Sequence, residues 1–468
     1  AYTALLRINP FRFPKGVHVL EHIDRLIEIF NVCWPMYAAM PAVLKDAVLQ
    51  AYEVCGWDLV ESKNTVDEDL FPTFQDLLTE LVDVIDNSAY HNEVKSNYKG
   101  SLETRVKSLT NGLNGQIFST DEIGDKTLFD TKVIIDLSRI GSLETKALIM
   151  GILVMRLNEY RMTEHTGMNV PLKHVTVLEE AHNILKRTST EQNPEGSNLA
   201  GKSVEMLSNA IAEMRTYGEG FIIADQSPSA VDVSAIRNTN TKIIMRLPDE
   251  SDRRFAGKSA ALKDEQLDEI AKLPKGVAVV YQNDWLEPVL CKVRQFSGSE
   301  KPYAYDRYSQ VASVNCDKWF KTELLKLLVK GLVVEQIDID IDEMKENVSV
   351  VNLSTKNKIG IHHILNEYGH TGRLSLWEVV NFEPLSSLIG ELLQSENKVN
   401  RFVRESQNFD ELSAKLYSLI DNQTEDIAKE VCLAVSQCLM KNYSIEGTEN
   451  IEVYSAWRET VKKRGSLL

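Results

Sequence analysis

The sequence predicts an α/β protein built on a parallel sheet and followed by a mostly helical C-terminal part. Short apolar, β-branched runs alternate with stretches of helical periodicity from residue 4 to about residue 281, the pattern of parallel strands joined by crossover helices. One of these runs, His174-Val-Thr-Val-Leu178, ends in two adjacent carboxylates, Glu179 and Glu180, with a helical pattern directly behind them. After about Phe296 the alternation stops and helical spacing dominates.

The length of 468 residues allows two or three domains, each with its own core. A hydrophobic share of 43% and a charged share of 26% are ordinary for a globular protein. No apolar run approaches the ~20 residues needed to span a bilayer, so no membrane contact is expected. The start at Ala1 has no basic segment of the signal-peptide kind. It also lacks Met and falls inside a strand-like pattern, which reads as the remainder of a longer protein. A net charge of −16 excludes a general nucleic-acid coat, but not DNA gripped by a few loops lining a pore. Cys33, Cys55, Cys291, Cys316, Cys432 and Cys438 show neither CxxC spacing nor a histidine at ligand spacing. They read as free core thiols in a reducing cytoplasm.

The elements follow in order. Ala4-Leu-Leu-Arg-Ile8 reads as a short strand stopped by Asn9-Pro10. Val19, Leu20, Ile23, Leu26, Ile27 and Phe30 have helical spacing, and Pro35 and Pro41 break the pattern. Val43, Leu44, Ala47, Val48 and Ala51 mark a second helix. Thr73, with Asp76 three residues on, is the N-cap of a third. Val133-Ile-Ile-Asp136-Leu137 reads as a buried strand, and a long helix capped by Ser142 runs from about 143 to 161. The acidic strand comes next, then a polar loop to about Asn198 and a helix through Val204, Leu207, Ala210, Ile211 and Met214. Gly218-Glu-Gly220 is a turn before the strand Phe221-Ile-Ile-Ala224, with Asp225-Gln226 at its tip. Lys242-Ile-Ile-Met-Arg-Leu247 and Gly276-Val-Ala-Val-Val-Tyr281 supply further strands of the parallel sheet. Ser297 to Pro302 is a linker.

Paired acids at the C-terminal end of a buried strand sit where open α/β sheets bind ligands. In a nucleotide hydrolase the first acid holds Mg²⁺ and the second polarises the attacking water. The alternative is a helix N-terminus, whose positive end favours acids in any protein. Gln226, at the next strand tip, is placed to sense a γ-phosphate or orient water, and Arg215 to complete a neighbour's site in trans. A solvated helix residue is the other reading of Arg215. Lys242 and Arg253 are the cations expected to face the nucleotide or a subunit boundary; a salt-bridged surface is equally compatible.

Several ordered motifs resemble the HerA-type ATPases of the FtsK/HerA branch of RecA-like motor proteins. They are Ile8-Asn-Pro-Phe11, His22-Ile-Asp24, Gly56-Trp-Asp-Leu59, Phe71-Pro-Thr73, Val177-Leu-Glu-Glu-Ala-His182, Arg215-Thr-Tyr-Gly-Glu-Gly220, Ala224-Asp-Gln-Ser-Pro228 and Asn238-Thr-Asn-Thr-Lys242. The likeness covers roughly residues 5 to 295. It implies a RecA-like P-loop NTPase core using ATP and Mg²⁺. Glu179 is then similar to the family's metal-holding acid, Glu180 to its catalytic base, Gln226 to its sensor and Arg215 to its trans arginine finger. The division implied is a core strand in 1–14, a helical insertion over 15–115, the rest of the ATPase core over 116–296 and a helical C-terminal domain over 303–468. Such proteins are typically cytoplasmic homo-hexamers that pump double-stranded DNA through a central pore. They often work with a nuclease or another effector, including in anti-phage defence. A hexameric scaffold that assembles and regulates a nuclease or NADase, with little motor activity, is the second expectation. A conjugation-type secretion ATPase is a third, disfavoured by the lack of a membrane anchor.

The family's phosphate-binding loop belongs before Asn9-Pro10, and the chain is expected to hydrolyse almost no ATP without it. Gly196-Ser-Asn-Leu-Ala-Gly201-Lys202-Ser203 matches that loop letter for letter. The loop works only between a strand and a helix. What precedes it here is polar and broken by Pro194, so the match is expected to be a decoy. Asp338-Ile-Asp-Ile-Asp342 has Glu343 where a calcium loop needs glycine and Ser349 where it needs a bidentate acid, so it is rejected. His362, His363 and His370 have no ligand partners nearby and read as surface histidines.

Overall fold

The structure is a computed structural model that describes residues 5–164, 167, 170–187, 199–298, 309–329, 339–421, 429–445 and 447–464. In its N-terminal half, α1 (Val19–Cys33), α2 (Met40–Val54) and the two-residue hairpin strands β1 (Trp57–Asp58) and β2 (Lys63–Asn64) lead into α3 (Phe74–Asn87). The short helices α4 (Asn92–Tyr98), α5 (Thr104–Thr110), α6 (Gly112–Ile117) and α7 (Asp125–Phe129) precede the long α8 (Leu143–Thr163). Then come β3 (His174–Glu179), α9 (Leu199–Glu213) and β4 (Glu219–Ala224). They are followed by α10 (Val233–Asn238), β5 (Thr241–Ile244), α11 (Glu250–Ser259), α12 (Asp264–Ile270), β6 (Val277–Gln282) and β7 (Val289–Lys292). The C-terminal part is helical: α13 (Ser309–Val329), α14 (Ile341–Asn347), α15 (Thr355–Thr371), α16 (Phe382–Leu392), α17 (Glu396–Glu405), α18 (Phe409–Asp421), α19 (Lys429–Ile445) and α20 (Thr448–Lys463). The chain is thus mixed α/β, mostly helical, with a small parallel sheet among the described residues.

The predicted caps form. Thr73 Oγ1 accepts from the Asp76 amide at 3.3 Å, and Asp76 Oδ2 accepts from the Thr73 amide at 2.8 Å, a reciprocal capping box. Ser142 Oγ accepts from the Thr145 amide at the start of α8. Helices α1, α2, α3 and α8 share one apolar core with Leu178 of β3 and the turn that follows it. Several motif residues of the N-terminal half hold this core. Asn9 Nδ2 donates to the Pro72 carbonyl, and Trp57 Nε1 to that of Leu70. The His22 ring lies fully buried between the Glu159 carboxylate at 2.9 Å and the Pro10 carbonyl at 3.1 Å. Residues 320–461 enclose a second core and residues 244–279 a third.

β3 and β4 pair in parallel, His174 opposite Glu219 through Glu179 opposite Ala224. Four expectations about strands are corrected by the observed pairings. β4 begins at Glu219, two residues early, because the Glu219 carboxylate is buried at its start. There it accepts from Arg161 Nε at 2.9 Å and from Thr176 Oγ1 at 2.7 Å, and it faces His174 Nδ1 at 2.8 Å. β5, expected in the parallel sheet with β6, instead lies antiparallel to it in a separate sheet, β5-β6-β7. A strand's composition does not encode its direction, and the short connection from β6 to β7 permits only antiparallel pairing. The run 133–137 forms no strand among the described residues. It joins no ladder among the described residues, and Ile134 is 84% exposed, so the run lacks the two-sided burial its composition suggested. Ile8 makes a single parallel bridge to Phe118 rather than a full strand, and residues 1–4 lie outside the described residues.

Cys33, Cys55, Cys432 and Cys438 are buried and, like the half-buried Cys291, form no disulfide among the described residues. Burial pushes the Cys438 thiol up to about 12. No described helix is long and apolar enough to cross a membrane.

The Glu219 contacts generate a stability prediction. Glu219→Ala leaves Arg161 and His174 facing an empty carboxylate site and lowers the unfolding free energy by about 3–5 kcal/mol. Urea denaturation measures this; a loss below about 1 kcal/mol would show that the network contributes little.

Candidate functional site

The site forms where β3 and β4 end side by side. Their register sets Glu179 beside Ala224, so Glu180 and Gln226 leave the sheet at the same rim. Gln226 Nε2 donates to Glu180 Oε1 at 3.1 Å. The Glu179 side chain is exposed, and its carboxylate makes no hydrogen bond or ion pair among the described residues.

Glu180 has φ 52° and ψ 48°, the left-handed region that a side-chain-bearing residue enters at a cost. Its neighbours enforce this conformation. Ala181, Ile184 and Leu185 are fully buried and anchor the turn after it. The Glu180 carbonyl accepts from the Asn183 amide at 3.0 Å and from Asn183 Nδ2 at 2.8 Å. The loop behind β3 is then laced to the loop behind β4. Asp232 N donates to the Leu185 carbonyl and Arg187 N to that of Ala230, each at 2.8 Å.

Two residues without an expected role stand in the middle. The Asp225 side chain is almost wholly buried. Its Oδ2 accepts from the His182 amide at 2.9 Å and lies 2.8 Å from His182 Nδ1, while its Oδ1 accepts from the Ser227 amide at 2.8 Å. The same His182 nitrogen stands 3.7 Å from Glu180 Oε2. The sequence signal was present in the Glu-Ala-His and Ala-Asp-Gln spacings. What it lacked was the register that sets the two motifs side by side.

Arg215 is exposed on the turn Met214–Tyr217 that feeds β4. It lies at the opposite end of that strand from Gln226, a separation on the order of 16 Å for six residues. Within one chain the structure brings Glu180 to Gln226 and leaves Arg215 apart. Lys242 Nζ donates to the Thr239 carbonyl at 2.7 Å and to Asn283 Oδ1 at 3.2 Å, and burial holds its pKa below the usual lysine range. Arg253 lies on α11, where Nη1 donates to the Pro248 carbonyl and Nε is buried without a partner. Its neighbour Asp252 accepts from the Ser229 amide, which ties α11 to the loop behind Gln226.

The donor set at the rim is two carboxylates and an amide. Such oxygen ligands suit a hard cation such as Mg²⁺. No cluster of three or more metal-ligating side chains occurs among the described residues, so a cation held here would take its remaining ligands from water and phosphate. Residues 196–198 of the glycine-lysine-serine motif lie outside the described residues. Its Ser203 is buried in α9 and donates to Glu28 of α1.

No family model matches the sequence. Among curated proteins, the DNA double-strand break repair helicase HerA of Sulfurisphaera tokodaii is 23% identical over 297 residues, covering 62% of this chain and 55% of that protein. Its namesake from Sulfolobus acidocaldarius is 27% identical over 141 residues, 30% of this chain and 26% of that protein. The Pyrococcus furiosus HerA is 27% identical over 169 residues, 36% and 28%. The chain thus matches about half the length of the first relative and about a quarter of the other two. A solved structure of VirB4 from Thermoanaerobacter pseudethanolicus superposes with a TM-score of 0.44 at 16% identity, over 62% of this chain and 74% of that one. A superposition this loose assigns no fold.

The backbone at Glu180 can be tested directly. In ordinary backbone alanine is more stable than glycine, but a left-handed residue reverses the order. Glu180→Gly should unfold about 1 kcal/mol later than Glu180→Ala. The opposite order in thermal denaturation would place Glu180 outside the left-handed region.

Proposed function

This chain is related to the HerA-type ATPases, and from that premise we propose that it is a motor subunit with a RecA-like core, coupling ATP hydrolysis to movement along double-stranded DNA. The observation that carries the reading is the Glu180–Gln226 contact at the common tip of two parallel strands. An acid held in strained backbone beside an amide is a pairing suited to a base and a water-orienting group.

In this reading the exposed Glu179 carboxylate holds Mg²⁺. The bound cation neutralises charge on the phosphates. Glu180 takes the proton of the attacking water, and Gln226 orients that water through its amide. Arg215 cannot reach the rim of its own chain. It therefore serves the adjoining copy, as a homo-hexameric ring allows, and stabilises charge on the transferred phosphoryl group. Lys242 and Arg253 lie beyond the loop behind Gln226 and face the nucleotide or the ring boundary. The assembly works in the cytoplasm. Its C-terminal helical unit docks an effector such as a nuclease, in DNA processing or anti-phage defence.

DNA-stimulated ATP turnover of the whole protein tests the reading. Glu180→Gln should lower kcat by about 10²-fold or more. Arg215→Ala should be as poor alone, and mixing Arg215→Ala with Glu180→Gln subunits should restore part of the activity, since some interfaces then carry both groups. Equal turnover in the wild type and Glu180→Gln would end the assignment. Failure of the mixture to recover would remove Arg215 from it.

A further inference from the structure

We propose that His182, held by Asp225, is a positioning residue for Glu180. The inference rests on the reading of Glu180 as the base and adds a group that the reading does not use. Glu180 leaves the strand in a left-handed conformation, so its backbone aims the carboxylate but does not fix its rotation. Two side chains bracket that carboxylate. The Gln226 amide stands on Oε1 at 3.1 Å, and His182 Nδ1 stands 3.7 Å from Oε2.

The His182 ring is itself clamped. Its Nδ1 faces carboxylate oxygens on both sides, Asp225 at 2.8 Å and Glu180 at 3.7 Å. Both are acceptors, so the ring carries its proton on Nδ1 and donates to Asp225, with its positive edge turned to Glu180. Asp225 is in turn immobilised by the backbone amides of His182 and Ser227. One buried carboxylate thus fixes the ring, the turn that carries it and the loop that carries Gln226. A base oriented through such a third group is a recurring arrangement in catalytic sites. Displacing a reacting group by about 1 Å costs on the order of 10²-fold in rate.

The test compares ATP turnover of the whole protein in four forms. His182→Ala should lower kcat about 10- to 100-fold with KM for ATP changed less than about twofold, because orientation is lost and binding is not. His182→Asn presents an N–H to Asp225 where Nδ1 stood and should recover to within about threefold of wild type. Asp225→Asn sets an amide against the Ser227 N–H and should resemble His182→Ala. Each variant is checked for the wild-type unfolding midpoint. If Glu180→Gln is inactive but His182→Ala stays within about twofold of wild type, or His182→Asn is as poor as His182→Ala, the positioning role is wrong while the base assignment stands. If Glu180→Gln matches the wild type, both fall together.

Discussion

The parallel pairing of β3 with β4 is the constraint on which the rest of the site depends. Side chains alternate along a strand, so a slip of one residue would turn every one to the other face. Here the register is pinned at both ends by buried carboxylates. At the start, Glu219 gathers Arg161, His174 and Thr176 from α8 and β3. At the tip, Asp225 gathers the His182 and Ser227 amides. A two-stranded sheet is marginal alone. These contacts let it hold the Glu180 and Gln226 side chains at hydrogen-bonding distance.

The C-terminal helices join the N-terminal block through the cap of α3. Asp76, already committed to Thr73, also accepts from Thr355 Oγ1 of α15 at 2.6 Å. Thr120 Oγ1 donates to the Val351 carbonyl, and His362 Nε2 stands 3.2 Å from Asp67 Oδ2, off the line of a good hydrogen bond. Behind this seam Lys358 is fully buried. Burial pushes its ammonium down to about 8, while the charges of Asp76 and Glu391 oppose the shift, and Nζ donates to the Ser349 carbonyl at 2.6 Å. A cation buried at a junction is stable only while its acidic neighbours stay close. The docking of α15 on α3 is therefore specific rather than greasy. This corrects the expectation of His362 as a surface histidine.

Local chemistry made much of this legible. The Thr73 and Ser142 caps, the long α8 and the acidic strand β3 all follow from patterns spanning a few residues. What misled was the reading of apolar runs as strands buried on both faces. Val177 and Ile222 are each 54% exposed on the side of the sheet away from the core. The run 133–137 has strand composition and no ladder. A strand is a relation between two backbones, and composition reports only one of them. The same limit hid Asp225 and His182. Each stands in its own motif, 43 residues from the other, and they meet only because β3 and β4 register as they do.

The two ends of the sheet differ in kind, and that difference bears on how a site could be completed. At the tip, Glu180, Gln226, His182 and Asp225 are tied together within one chain, so their geometry is set by folding alone. At the base, Arg215 points into solvent from a turn that cannot easily move. Gly218 closes the turn at φ 83°, and a Cβ there would stand 2.7 Å from the Pro171 carbonyl. A rigid turn presenting an exposed guanidinium suits a group that must act on something outside its own chain, because no rearrangement within the fold carries it the length of β4 to the rim. In the proposed function, Arg215 therefore acts only where a second copy brings it to the rim.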